Sequence, residues 1–242
     1  MNDMTRSARE GRSVDPSQGV AWWTEAWGLF MKNPGMWVVF GLIFIIGYLV
    51  LSFVPVLGHL ATALLTPVLI GGWMLAARKC EEGGKLEVPD LFAGFKDLVS
   101  PLLVLGAALL VCQLAVMLVM MVLGLGAAAS LVGGSAMHSG AGMAAGFGLI
   151  GLAGLLGLLF GLVIAMLLWF APALVVFEGI PPLDALKISA QASLRNIVPF
   201  LLFAVISFVV SIVLTITVVG IPVLVPLGFL TMYVSYKGVF GR

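Results

Sequence analysis

Charge is what this sequence has least of. Only 10% of its 242 residues are Asp, Glu, Lys or Arg, while 62% are hydrophobic and the mean hydropathy is +1.19. Soluble domains run at about 25% charged and about 45–50% apolar, so a water-soluble globule is excluded. Cysteine is nearly absent as well. Cys80 and Cys112 stand alone, neither in a Cys-x-x-Cys arrangement, and one is expected outside the membrane with the other inside it, so both are read as inert and unpaired. No basic patch exceeds a few residues and no aromatic residues interleave with one, which excludes nucleic acid as a partner. Catalytic triads, phosphate loops and metalloprotease motifs are missing too, so the chain is not expected to be an enzyme, and no catalytic, cofactor-binding or metal residues are assigned.

The placement of the few charges is informative. All 12 Lys and Arg and all 11 Asp and Glu fall within residues 3–32, 78–97, 178–195 and 237–242. Between them lie uncharged segments of 45 residues (33–77), 80 residues (98–177) and 41 residues (196–236). A helix crosses a hydrocarbon core of about 30 Å in about 20 residues, so each segment fits a crossing and a return. The sequence therefore predicts an all-α integral membrane protein with six transmembrane helices in three hairpins, at about 36–54, 58–77, 101–124, 147–169, 199–219 and 222–236. Every Lys and Arg then lies on one side, which the positive-inside rule assigns to the cytoplasm, both termini included. Residues 1–19 are expected to be a disordered cytoplasmic tail without a cleavable signal peptide, and 20–242 a single transmembrane domain.

Magnitudes support the assignment. Met36–Val54 holds thirteen Val, Ile, Leu or Phe, worth roughly −4 to −8 kcal/mol of insertion free energy. Leu125–Gly146 holds three, worth about −1 to −2 kcal/mol against many Gly, Ser and a His. It is read as a flexible or partly helical Gly/Ala-rich extracytoplasmic loop, 125–146.

Three amphipathic interfacial helices are expected, one before each odd-numbered span. The first carries Trp23, Trp27, Phe30 and Met31 on its apolar face; the second Leu91, Phe92, Phe95, Leu98 and Val99; the third Leu183, Leu186, Ala190 and Leu194. Pro34, Pro101 and Pro199 open the odd spans. Pro67 and Pro226 each stand eleven residues before the first returning cation, Arg78 or Lys237, with Pro172 a weaker counterpart. The pattern is that of a threefold internal repeat.

Trp27-Gly-Leu-Phe30 ahead of Asn33-Pro34, Pro55-Val-Leu-Gly58, Pro67-Val-Leu-Ile-Gly-Gly72, Ala171-Pro172, the run from Glu178 to Ser189, and Asn196 with Pro199-Phe-Leu-Leu-Phe203 carry a resemblance. Together, over roughly residues 22–240, they resemble a family of uncharacterised bacterial inner-membrane proteins. That family lies within the grouping of YciC-like proteins and the membrane domain of some glycerophosphodiester phosphodiesterases. The resemblance implies a multi-pass inner-membrane fold. It carries over no catalytic residues, because the phosphodiesterase chemistry of those relatives resides in a separate soluble domain.

Within the spans, ionisable groups are missing from the central portions, which argues against a proton-driven pump. Gln113 is the most polar group at depth, expected in an interhelical hydrogen bond. His59 and His138, with Met137, Met143, Met117, Met120 and Met121 towards the same side, could suit Cu(I), but their spacing matches no ligand motif and methionine is a common packing filler. Gly157-x-x-x-Gly161 gives the fourth span a small-residue face fit for packing within the bundle, for a membrane-protein partner or for a homo-oligomer. Besides the lipid bilayer these are the partners expected. The functional expectation is a scaffold, assembly factor or accessory subunit acting through protein or lipid contacts, with a transporter or exporter of an apolar or lipid-like solute as the alternative.

Overall fold

The computed structural model describes residues 11–217 and 220–241, and it is helical throughout, without strands, among those residues. The helices are α1 (Gln18–Lys32), α2 (Pro34–Ser52), α3 (Pro55–Glu81), α4 (Val88–Leu91), α5 (Val99–Ala136), α6 (Gly140–Leu168), α7 (Ala171–Glu178), α8 (Pro182–Arg195), α9 (Ile197–Thr215) and α10 (Gly220–Phe240), with a 3-10 turn at Ala93–Phe95. Among the described residues, six segments are long and apolar enough to cross a membrane: Pro34–Ser52, Pro55–Glu81, Val99–Ala136, Gly140–Glu178, Ile197–Thr215 and Gly220–Phe240. Two compact units form: Met1–Ala107 with Met166–Arg242, and Ala108–Ala165.

In the first unit, α10 packs on α1, α2 and α3, while α3 also receives α7, α4 and the 3-10 turn. Its core is aromatic. Trp73 stacks on Trp37 at 5.8 Å and on Phe229 at 4.8 Å, and Phe40 meets both tryptophans edge-on. Trp22 packs on Phe200 and Phe203. Glycine lets backbones touch where α2 crosses α10. Pro226 has no amide to offer the Pro222 carbonyl one turn back, and a Cβ on Gly41 would lie 2.5 Å from that oxygen. The freed carbonyl is thus covered by the bare backbone of α2.

On α1, Trp22, Ala26, Leu29 and Phe30 are buried on one flank, whereas Trp27 and Met31, expected on the apolar face, are exposed with Val20 on another. Glu25 and Lys32 occupy a third flank. α8 follows the same plan. Small residues, Ala185, Ser189, Ala192 and Ser193, face the protein, while Leu183 and Leu194 of the expected apolar stripe point outward. The middle amphipathic helix does not form as one rod. The chain breaks into α4 and the 3-10 turn because Gly72 and Gly94 draw it against α3: a Cβ on Gly72 would lie 1.9 Å from Leu91 O, and one on Gly94 2.1 Å from Val68 O. Leu91 is buried there, but Phe92 and Phe95 are exposed. Asp90 caps the turn through the Glu87 amide at 2.7 Å and pairs with Lys79 at 2.8 Å.

Of the tail expected to be disordered, residues 1–10 lie outside the described residues, and 11–17 are ordered. Asn196, fully buried, accepts a hydrogen bond from Val14 N at 2.8 Å and donates to Arg12 O at 3.0 Å and to Ala192 O at 2.9 Å. Arg12 N and Nε donate to Val239 O and Gly238 O, both at 2.9 Å. Gly11 has φ +75°, and its missing Cβ would lie 2.9 Å from Ala192 Cβ. Polar composition predicts disorder from local content alone, whereas this strap is fixed by an amide 182 residues away.

A second break falls at Trp169–Phe170, inside the segment Gly140–Glu178, where Pro172 ends regular helix. Ser189 repairs it: its buried hydroxyl accepts from Phe170 N at 3.0 Å and donates to Met166 O at 2.8 Å.

The second unit corrects the loop at 125–146. Residues up to Ala136 continue α5, Gly140 begins α6, and the connection is only Met137-His138-Ser139. Insertion energies register low hydrophobicity but not helix geometry. Alanine is the best helix former, and small residues let the two backbones close: a Cβ on Gly134 would lie 2.6 Å from Met143 N, and one on Gly146 2.5 Å from Leu131 Cγ.

Candidate functional site

The three uncharged segments of the sequence end at Ala77, Phe177 and Tyr236. The charged and aromatic residues at those ends meet in one place in the first unit. Arg78, Glu81 and Glu82 from α3, Phe177 and Glu178 from α7, and Tyr233, Tyr236 and Lys237 from α10 line a cavity of about 400 Å³. That is the size of a small-ligand site.

Glu81 is the hub. Its carboxylate accepts from the Tyr233 hydroxyl at 2.7 Å and from the Lys237 ammonium, two α10 groups one turn apart, which clasps α3 to α10. Tyr236 donates to Glu178 at 2.8 Å, clasping α10 to α7. Arg78 directs its Nε to Glu82 at 3.3 Å and lies over the Phe177 ring, 5.5 Å from its centroid. Phe177 in turn stacks on Tyr236 at 5.5 Å, and Lys237 sits 5.8 Å from the Tyr233 centroid. Two cations, three carboxylates and three aromatic rings thus converge, with Lys32 donating to the Glu81 carbonyl at 3.0 Å nearby. Tyr233→Phe removes one charge-assisted hydrogen bond while keeping the ring. It is expected to cost about 1.5–3 kcal/mol, a fall of roughly 3–12 °C in thermal midpoint for the detergent-solubilised protein; an unchanged midpoint would mean that the Tyr233 arm of the clasp holds nothing.

The sequence marks these positions only as the first charges beyond each return span. It does not show that they meet, and no motif singles out Tyr233 or Tyr236. The other residues singled out by sequence are not brought into this cavity. His59 is exposed in the first turn of α3. His138 lies in the second unit, where its φ of +50° makes it the left-handed residue of the α5–α6 turn. Met137, Met117 and Met121 are exposed, and Met143 is 41% exposed. Met120 Cε would be 2.5 Å from a Cβ on Gly157, so Gly157 packs against α5, whereas Gly161 has nothing within 4 Å of its missing Cβ. No group of three or more His, Cys, Asp or Glu that could hold a metal occurs among the described residues. Cys80, buried, and Cys112 are both free thiols. Gln113, expected at a helix crossing, is exposed on α5.

A second cavity, of about 210 Å³, is apolar and lies between α2 and α3, with Phe44, Tyr48, Leu65, Leu69 and Phe92 among its walls.

The chain is 26% identical over 212 residues to a probable inner membrane protein of Burkholderia thailandensis, covering 82% of this chain and 75% of that relative. No solved structure matches it. Residues 24–238 match the family described as a domain of unknown function, DUF7847, and with that match spanning most of its length the chain belongs to that family.

Proposed function

We propose that this is a non-catalytic, multi-pass inner-membrane protein that acts by contact with another membrane protein or a second copy of itself, as a scaffold, assembly factor or accessory subunit. The observation that carries this is Gln113. It stands near the middle of the span expected at 101–124, on a helix whose apolar neighbours Val111 and Leu114 are exposed, and its own side chain is exposed with them. A primary amide turned to hydrocarbon lacks water to bond and costs several kcal/mol unless another polar group meets it. In a membrane that group comes from a neighbouring helix.

The inner-membrane location follows the name of the Burkholderia relative and the resemblance to YciC-like proteins. In this reading the spans form three hairpins that return to a cytoplasmic face carrying the charge islands. α1 and α8 lie at the headgroup level, each with one sector on protein, one on lipid and one on water. The aromatic core of the first unit suits a packed support better than a conduit.

The test is a photoreactive residue in place of Leu114, beside Gln113, in cells. One protein adduct of defined mass, abolished by Gln113→Leu, is expected. Adducts to lipid alone, or an adduct indifferent to Gln113→Leu, would refute the contact. A second reading, movement of an apolar or lipid-like solute, is favoured by the groove between α2 and α3. Flux of such a solute in proteoliposomes containing the purified protein, together with lipid-only adducts at position 114, would establish it instead.

A further inference from the structure

We propose that the cavity at the meeting of α3, α7 and α10 binds a phosphate ester that bears a primary ammonium group, the headgroup chemistry of a zwitterionic phospholipid. This goes beyond the contact function above and holds independently of it.

Depth comes first. Arg78, Glu178 and Lys237 are each the first charge after an uncharged segment, so in a chain threaded through a bilayer the cavity that collects them sits where hydrocarbon gives way to headgroups. Its volume, about 400 Å³, accommodates a headgroup. Sign comes next. The lining holds three carboxylates, Glu81, Glu82 and Glu178, against Arg78 and Lys237. Both signs line the cavity, so a ligand that carries phosphate and ammonium together uses groups that a purely anionic or purely cationic one leaves unused.

The cations are not equivalent. Lys237 is engaged by Glu81. Arg78 turns only Nε to Glu82, in a pair whose side chains are 55% and 65% exposed, which leaves its two terminal amino groups to form a fork for phosphate oxygens. The ammonium end of the ligand meets the Glu178 and Glu82 carboxylates of the same lining, with Glu178 keeping its bond from Tyr236. Quaternary ammonium groups are recognised instead on open aromatic faces. Here Arg78 covers Phe177, Tyr236 stacks on Phe177, and Lys237 covers Tyr233. Hydrogen bonding to carboxylates therefore selects a primary ammonium over a trimethylated one.

The experiment uses the full-length protein in mild detergent and follows its thermal midpoint as lipid is added to the micelles. Phosphatidylethanolamine is expected to raise the midpoint on the order of 5 °C at saturation, with phosphatidylglycerol and phosphatidylcholine doing clearly less. Arg78→Gln is expected to remove that preference. Its Glu82 pair is surface-exposed and contributes little to the fold, so the lipid-free midpoint should remain near that of the unsubstituted protein. Soluble glycerophosphoethanolamine separates the sources. A shift as large as the lipid's identifies a soluble phosphoamine as the ligand, and a shift with the lipid alone identifies the bilayer; both support the chemistry. Equal shifts from all three lipids, a larger shift from phosphatidylglycerol, or an Arg78→Gln variant that keeps the preference would overturn the proposal.

Discussion

Asn196→Ala is expected to lift residues 11–17 off the first unit and to cost about 2–4 kcal/mol. Both polar ends of the side chain are used, in three hydrogen bonds at 2.8–3.0 Å within a fully buried setting. Truncation leaves the Val14 amide and the Arg12 carbonyl without partners, and a stranded buried group costs about 1–3 kcal/mol. Lifting the strap rehydrates them but also gives up the Arg12 bonds to Val239 and Gly238. The measurement is the rate of tryptic cleavage after Arg12 in the folded protein. It should rise tenfold or more, as about 2 kcal/mol of local destabilisation implies. Asn196→Asp keeps the acceptor for Val14 and loses the two donated bonds, so it should fall between. A cleavage rate unmoved by either change would show that the strap is held by something else.

Gly72→Ala is expected to be strongly destabilising. The added carbon would sit 1.9 Å from Leu91 O and 2.8 Å from Leu91 C. Both are backbone atoms, so no rotamer change relieves the clash. Residues 88–95 must move away from α3, taking the Lys79–Asp90 pair with them. Overpacking costs typically 1–3 kcal/mol and occasionally more; a loss of about 3 kcal/mol is expected in equilibrium unfolding. Gly47→Ala supplies the contrast. Nothing lies within 4 Å of its missing Cβ, and in a helix interior alanine should leave stability unchanged or raise it by up to about 1 kcal/mol. Equal effects at the two positions would mean that α4 and the 3-10 turn are not wedged against α3.

How much of this is legible in sequence depends on whether the cause is local. The membrane class and the six apolar segments follow from the exclusion of charge, and each expected span falls largely within a helix. Even the cavity is half visible, since Arg78, Glu178 and Lys237 are the first charges past each apolar stretch. What composition cannot supply is convergence. Tyr233 and Tyr236 matter because α10 lies against α3 and α7, and a phenol at a span end looks like any interfacial aromatic. The same limit explains the misplaced details. Periodicity over Leu91–Val99 suggests one amphipathic rod, but Gly72 on another helix decides that it breaks. Hydrophobicity over 125–146 suggests a loop, but Gly134 and Gly146 let two helices close where bulkier residues would hold them apart. Gln113 is expected in an interhelical hydrogen bond, whereas the structure leaves it exposed on α5.

The position of Glu81 also bears on how the chain is assembled. Its hydroxyl and ammonium partners, Tyr233 and Lys237, belong to α10. Until the ribosome has delivered that helix, α3 carries a carboxylate whose two α10 partners do not yet exist. α10 is therefore the keystone of the first unit, and its arrival locks a helix made some 150 residues earlier.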